Sequence, residues 1–118
     1  MDTILRGDIF LCKFGSSDDH TIQKTRPVVI IQNNLANRVS QTTIVTIITG
    51  NPKVKQLPVG VEIEPGRTGL DKISYVNLGH IYTIDRKSLL RKLGTVPSAL
   101  MQKIEEAINV SLGMKEIQ

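Results

Sequence analysis

Residues 24–38 read KTRPVVIIQNNLANR. Arg26 stands against Pro27, the β-branched run Val28 to Ile31 follows, and the chain then turns abruptly to amides. Side chains branched at Cβ pack well on a pleated sheet, so RPVVIIQ (26–32) is expected to form a strand with a buried interior. Pro27 fits near the first position of such a strand, where its missing N–H does least harm. Two features then need a reason. A positive charge sits at the mouth of a buried strand, and Gln32, Asn33, Asn34, Asn37 and Arg38 crowd its far end.

The flanking sequence continues the β pattern. GDIFLCKF (7–14) reads as a strand with apolar residues on both faces, and GSSDDHTIQKT (15–25) as a polar loop long enough for a functional role. QTTIVTIIT (41–49) is a third strand, stopped by GNP at 50–52. VGVEIEP (59–65) alternates, with Val59, Val61 and Ile63 on one face and Glu62 and Glu64 on the other, which suits a solvated outer face. Residues 72–85 hold one long strand or two short ones, and 88–96 a last short one. The period then changes. In 97–113, Leu100, Ile104, Ala107, Ile108 and Leu112 recur at helical spacing, with Pro97 suited to the first turn and Gly113 to the C-terminal cap. Short strands followed by one amphipathic helix predict a mainly β fold, a small antiparallel barrel-like sheet closed by that helix.

Composition sets the limits. A chain of 118 residues is expected to be one domain spanning 1–118. Hydrophobic residues make up 40% and aromatics only 3%, so the core must come from Ile, Val and Leu. The single Cys12 forms no internal disulfide, and neither a signal-like segment nor an apolar run near the ~18 residues of a membrane span is present. These features are expected of a soluble cytoplasmic protein. The net charge of +4 is unevenly spread. No acid occurs from His20 to Val61, where Lys24, Arg26, Arg38, Lys53 and Lys55 fall, nor from Arg86 to Ile104. Segregated positive charge favours a polyanionic partner, or forms a solvated basic surface.

Several chemistries lack their residues. His20, His80 and Cys12 have no zinc-ligand spacing, and no glycine-rich phosphate loop is present, so no metal or cofactor is expected. Asp18–Asp19 is weak as a metal pair. RGD (6–8) and NVS (109–111) carry meaning only in an extracellular context. What remains is a set of strand ends. If the strands at 26–32 and 41–49 pair antiparallel, Arg26 and Thr49 become neighbours on one rim, with His20 on the adjacent loop. A guanidinium offers a planar fork to phosphate oxygens, and an imidazole can move a proton at neutral pH. Each also has an ordinary reading, as a gatekeeper charge, a β-former and an exposed loop residue.

The chain resembles the MazF/PemK-type toxins of bacterial toxin–antitoxin pairs in RGDIF near the start, TRPVVIIQN…NR at 25–38, TIVTIIT at 43–49, LPVGVEI at 57–63, TGLDKISYV at 68–76, TID at 83–85 and IEEAINVSLG at 104–113. The resemblance implies a partly open SH3-like barrel with a C-terminal helix, acting as a homodimer. It implies metal-independent, sequence-specific cleavage of single-stranded RNA, in which the ribose 2′-hydroxyl attacks the adjacent phosphate to leave 2′,3′-cyclic phosphate and 5′-hydroxyl ends. It also implies a cognate antitoxin with an acidic tail. By matching position, Arg26 and Thr49 fall on the family's catalytic arginine and threonine, and His20 on a loop histidine of PemK-like members. Arg6, Lys24, Asn33, Arg38, Asn51, Lys53, Lys55, His80 and Arg86 are the candidate RNA contacts, and the amides at 32–37 are expected to hydrogen-bond RNA.

GHIYTID (79–85) departs from the family, with His80 where many relatives have glutamine and Tyr82 where they have arginine. An arginine and an aspartate used by some PemK-like members fall at Asn77 and Gly79. Few aromatics imply sparse base stacking, with specificity carried by hydrogen bonds. Two other readings are a barrel that binds RNA without cutting it and a CcdB-like gyrase inhibitor. The latter depends on a tryptophan-containing tail, and this chain has no tryptophan.

Overall fold

The computed structural model describes residues 3–15 and 24–116. Strands β1 (Asp8–Phe14) and β2 (Lys24–Ile30) precede a short helix, α1 (Asn34–Val39), and the long strand β3 (Thr42–Thr49). A 3-10 helix (Pro52–Gln56) leads into β4 (Gly60–Ile63), β5 (Ser74–Asn77), β6 (Tyr82–Asp85) and β7 (Leu89–Thr95), and helix α2 (Ser98–Ser111) follows. The seven strands form one antiparallel sheet in the order β4-β5-β3-β2-β1-β7, with β6 also on β3. The sheet does not close into a barrel. β3 is its centre, paired to β2 on one flank and to both β6 and β5 on the other. The segment 72–85 is therefore two strands.

Antiparallel register assigns each residue to a face. Ile9, Val29, Ile48, Val61, Ile63 and Val76 pack with Met101, Ile104 and Ala107 of α2. On the opposite face, Phe10, Cys12, Val28, Ile30 and Val45 form a second cluster with Ile4. β2 contributes to both clusters, which is why 28–31 reads as an unbroken apolar run rather than an alternation. In α2, Leu100 and Ile108 flank the buried stripe. Leu112, expected in that stripe, is 57% exposed, because it lies at the cap past the last turn that meets the sheet. Gly113 follows with φ +77°, the left-handed geometry that ends helices.

The amide run expected to hydrogen-bond RNA also builds the local fold. Asn33 caps α1, its side chain accepting from the Ala36 N–H at 2.9 Å. Asn37, only 1% exposed, accepts from Thr43 Oγ1 at 2.7 Å and from Gln32 Nε2 at 2.9 Å. Its own Nδ2 donates to the Gln32 carbonyl at 2.9 Å. Arg86 Nη1 donates to the carbonyls of Asn37 (2.6 Å) and Ser40 (3.0 Å), closing the C-terminal end of α1.

Cys12 is fully buried, and desolvation pushes its thiol from 9.0 up to about 11. The unfolded thiol ionises first as pH rises, so the stability present below pH 9.0 is lost progressively towards pH 11. Iodoacetamide at pH 8 should leave the folded protein unlabelled and alkylate it rapidly in urea. Equal rates in both conditions would contradict a buried, neutral thiol.

Candidate active site

Arg26 lies on β2 directly opposite Cys12 of β1. β2 and β3 pair through Val28–Ile47, Val29–Thr46 and Ile30–Val45, a register that two residues further on sets Arg26 opposite Thr49. Thr49 is opposite Tyr75 of β5, and Tyr75 is opposite Glu62 of β4. Residues opposed in an antiparallel ladder project on the same face. One row therefore crosses the sheet, Cys12–Arg26–Thr49–Tyr75–Glu62, on the face away from α2. Within the row Cys12 is fully buried, whereas Arg26, Thr49 and Tyr75 are half-buried.

The loop after β3 furnishes the rest of this rim. Thr49 Oγ1 accepts the Asn51 N–H at 3.3 Å, which leaves the hydroxyl proton to be donated outward. The Asn51 side chain accepts from the Lys53 N–H at 3.0 Å and so caps the 3-10 helix. That helix lies directly against β4 because residue 60 is glycine; a Cβ there would strike the Val54 carbonyl. Lys55 Nζ pairs with Glu62 Oε1 at 3.1 Å, and hydrogen bonding and charge from Glu62, with a smaller contribution from Tyr75, raise the lysine above its usual range. Lys24 and Lys53 are exposed. Lys72, which sequence reasoning passed over, runs its side chain beside Gly50. Its only sequence signal was a basic residue among the loop residues before β5.

His80 sits on the turn between β5 and β6 and is exposed. The turn is built by Asn77, whose Oδ1 accepts the Gly79 N–H at 2.9 Å and whose carbonyl accepts the His80 N–H at 3.0 Å. From the sheet, the buried Thr46 hydroxyl lies 3.1 Å from the His80 carbonyl and 3.3 Å from that of Asn77. Thr46→Val keeps the shape and removes this donor, so it should cost about 1–2 kcal/mol in urea unfolding. Faster amide exchange should appear at 79–81, and unchanged exchange there would refute the clamp.

Four candidates lie elsewhere. Arg6 donates from Nε to the Ile31 carbonyl at 3.0 Å and from Nη1 to Glu105 of α2 at 2.7 Å. Asn33, Arg38 and Arg86 belong to α1 and its supports. Ile31 is five residues along β2 from Arg26, roughly 17 Å at the usual rise. The structure thus brings together Arg26, Thr49, Lys24, Asn51, Lys53 and Lys55, places His80 at the next turn, and sets Arg6, Asn33, Arg38 and Arg86 at the other end. His20 lies outside the described residues.

A concavity of about 680 Å³ runs between β4 and α2, lined by Pro58, Pro65, Leu100 and Lys103 among others, and includes neither Arg26 nor Thr49. Of the row and the loop beside it, Lys55 and Glu62 also line this concavity. Among the described residues, no three His, Cys, Asp or Glu side chains converge to hold a metal, and no helix is long and apolar enough to cross a membrane.

An open antiparallel sheet backed by one helix, with an arginine and a threonine on the face away from that helix, defines a small mainly β domain. The chain belongs to the PemK-like, MazF-like toxins of type II toxin–antitoxin systems, whose family model matches residues 5–112. It is similar to an endoribonuclease solved in complex with its cognate antitoxin from a mycobacterial species, at 28% identity and TM-score 0.80, covering 96% of this chain and 98% of that one. A second mycobacterial endoribonuclease matches at 29% identity and TM-score 0.75, covering 96% and 94%. The MazE-MazF complex of Deinococcus radiodurans shares the fold at 19% identity and TM-score 0.79, covering 98% and 100%.

Proposed function

We propose that this protein is a single-domain endoribonuclease toxin that cuts single-stranded RNA at short specific sequences without a metal. The observation that carries the reading is the β2–β3 register, which, continued two residues past Val28–Ile47, sets Arg26 opposite Thr49. Relatives named as endoribonucleases support it. The ribose 2′-hydroxyl loses its proton to an imidazole and attacks the adjacent phosphorus. Arg26 holds the negative charge that grows on the non-bridging oxygens and supplies the leaving 5′-oxygen's proton. Thr49, already accepting from Asn51, donates its hydroxyl proton to a phosphate oxygen. The phosphorus–5′-oxygen bond breaks, leaving a 2′,3′-cyclic phosphate and a 5′-hydroxyl. His20 and His80 are the two imidazoles available to start the reaction.

Lys24, Lys53 and Lys55 line the approach, and the same positive face suits the acidic segment of a cognate antitoxin. The active form is a cytoplasmic homodimer. The test is purified protein with a long single-stranded RNA in EDTA, followed by mapping of the ends. Cuts at a recurring short motif with cyclic phosphate and 5′-hydroxyl termini are expected. Intact RNA, with folding verified, would reject cleavage in favour of binding alone.

A further inference from the structure

The chain has two tyrosines and no tryptophan, and both tyrosines lie on the face that carries Arg26. Tyr75 is the direct cross-strand neighbour of Thr49. Tyr82 is opposite Val45, a member of the apolar cluster on that same face, and is 41% exposed. Val45 and Thr49 are four residues apart on β3, so the two ring positions are separated by roughly 13 Å along the strand. Tyr75 is also the cross-strand neighbour of Glu62, the ion-pair partner of Lys55. On this face Phe10, Val28, Ile30 and Val45 are buried in the second cluster, whereas Tyr75 is half-buried and Tyr82 exposed.

We infer that Tyr75 and Tyr82 are stacking platforms for two different bases of the bound RNA. The inference rests on the endoribonuclease reading and assigns it two subsites. Tyr75, next to Thr49, takes the base flanking the scissile phosphate. Tyr82 is too far along β3 to share that base and takes one further along the strand. Stacking on an aromatic face is sequence-tolerant, because every base has a π-face. The tyrosines therefore set affinity and register, and base identity is read by polar groups around them. The small number of aromatics predicts sparse stacking, and both tyrosines lie on the one face that carries Arg26.

With no tryptophan, protein emission comes from tyrosine alone. The variants Tyr75→Phe and Tyr82→Phe each leave one reporting ring. The probe is a synthetic RNA spanning a mapped cut site, with every 2′-hydroxyl methylated to prevent cleavage. Saturating RNA should quench the remaining tyrosine in each variant, and each Phe variant should bind within about two-fold of wild type. Tyr75→Ala and Tyr82→Ala should each weaken binding roughly ten-fold or more. Methylated RNA that binds, with its unmethylated counterpart cut, while both tyrosines stay unquenched and the Ala variants bind normally would overturn the stacking inference and leave the endoribonuclease reading standing. RNA neither bound nor cut would overturn both.

Discussion

Arg26→Ala should lower RNA cleavage by at least about 10²-fold, the usual consequence of removing one charge-stabilising donor from a transition state. The loss should appear in kcat rather than in KM, because the negative charge the guanidinium meets grows during attack. Arg26→Lys should recover only part of it, since an ammonium cannot offer the planar fork that two phosphate oxygens accept. A structural explanation has to be separated from this one. Arg26 is the cross-strand neighbour of the buried Cys12, so the stability of the Ala variant has to be measured beside its activity. Arg26→Met retains most of the stem and none of the charge. If Arg26→Met melts like wild type and cleaves as poorly as Arg26→Ala, the charge carries the effect. Cleavage within a few-fold of wild type in Arg26→Met would remove Arg26 from the chemistry.

The parts of this site that were legible in sequence are those fixed by strand register. Arg26 and Thr49 bound two apolar runs, and pairing those runs antiparallel brings the two residues together whatever else the chain does. The helix expected over 97–113, found at Ser98–Ser111, was legible because its apolar residues keep a helical period. Position around the sheet was not legible. Nothing in KISYVN announces that Tyr75 follows Thr49 in the row, because β5 joins β3 across an intervening chain of 24 residues between Thr49 and Ser74. The pairing of Arg6 with Glu105 was hidden by a separation of 99 positions. Helix α1 was missed for a third reason. It has six residues and no apolar stripe facing the core, so neither period nor length marked it, and the amides that build it read as a loop. Its one local signal was Asn33, an N-cap residue type.

Asn37 is therefore the residue whose role changes most between sequence and structure, and its replacement should give the largest stability effect outside the apolar core. A hydrophobic helix docks by burying side chains; α1 docks through one buried carboxamide. Asn37→Ala removes the acceptor for the buried Thr43 hydroxyl and for Gln32 Nε2, and the donor to the Gln32 carbonyl. Gln32 keeps its bond to the Thr42 carbonyl at 3.1 Å, whereas the buried Thr43 hydroxyl loses its acceptor. Leaving a buried polar group without its partner costs about 1–3 kcal/mol, and the vacated volume adds to that. The expected loss is about 2–4 kcal/mol in urea unfolding. Asn37→Asp should do no better, since it keeps the acceptor, removes the donor and buries a carboxylate. Thr43→Val supplies the internal check. If the two side chains stabilise each other, Thr43→Val should cost clearly less in the Asn37→Ala background than in wild type. Strictly additive losses, or an Asn37→Ala cost below about 0.5 kcal/mol, would mean that α1 is held by its cap and by Arg86 rather than by the carboxamide.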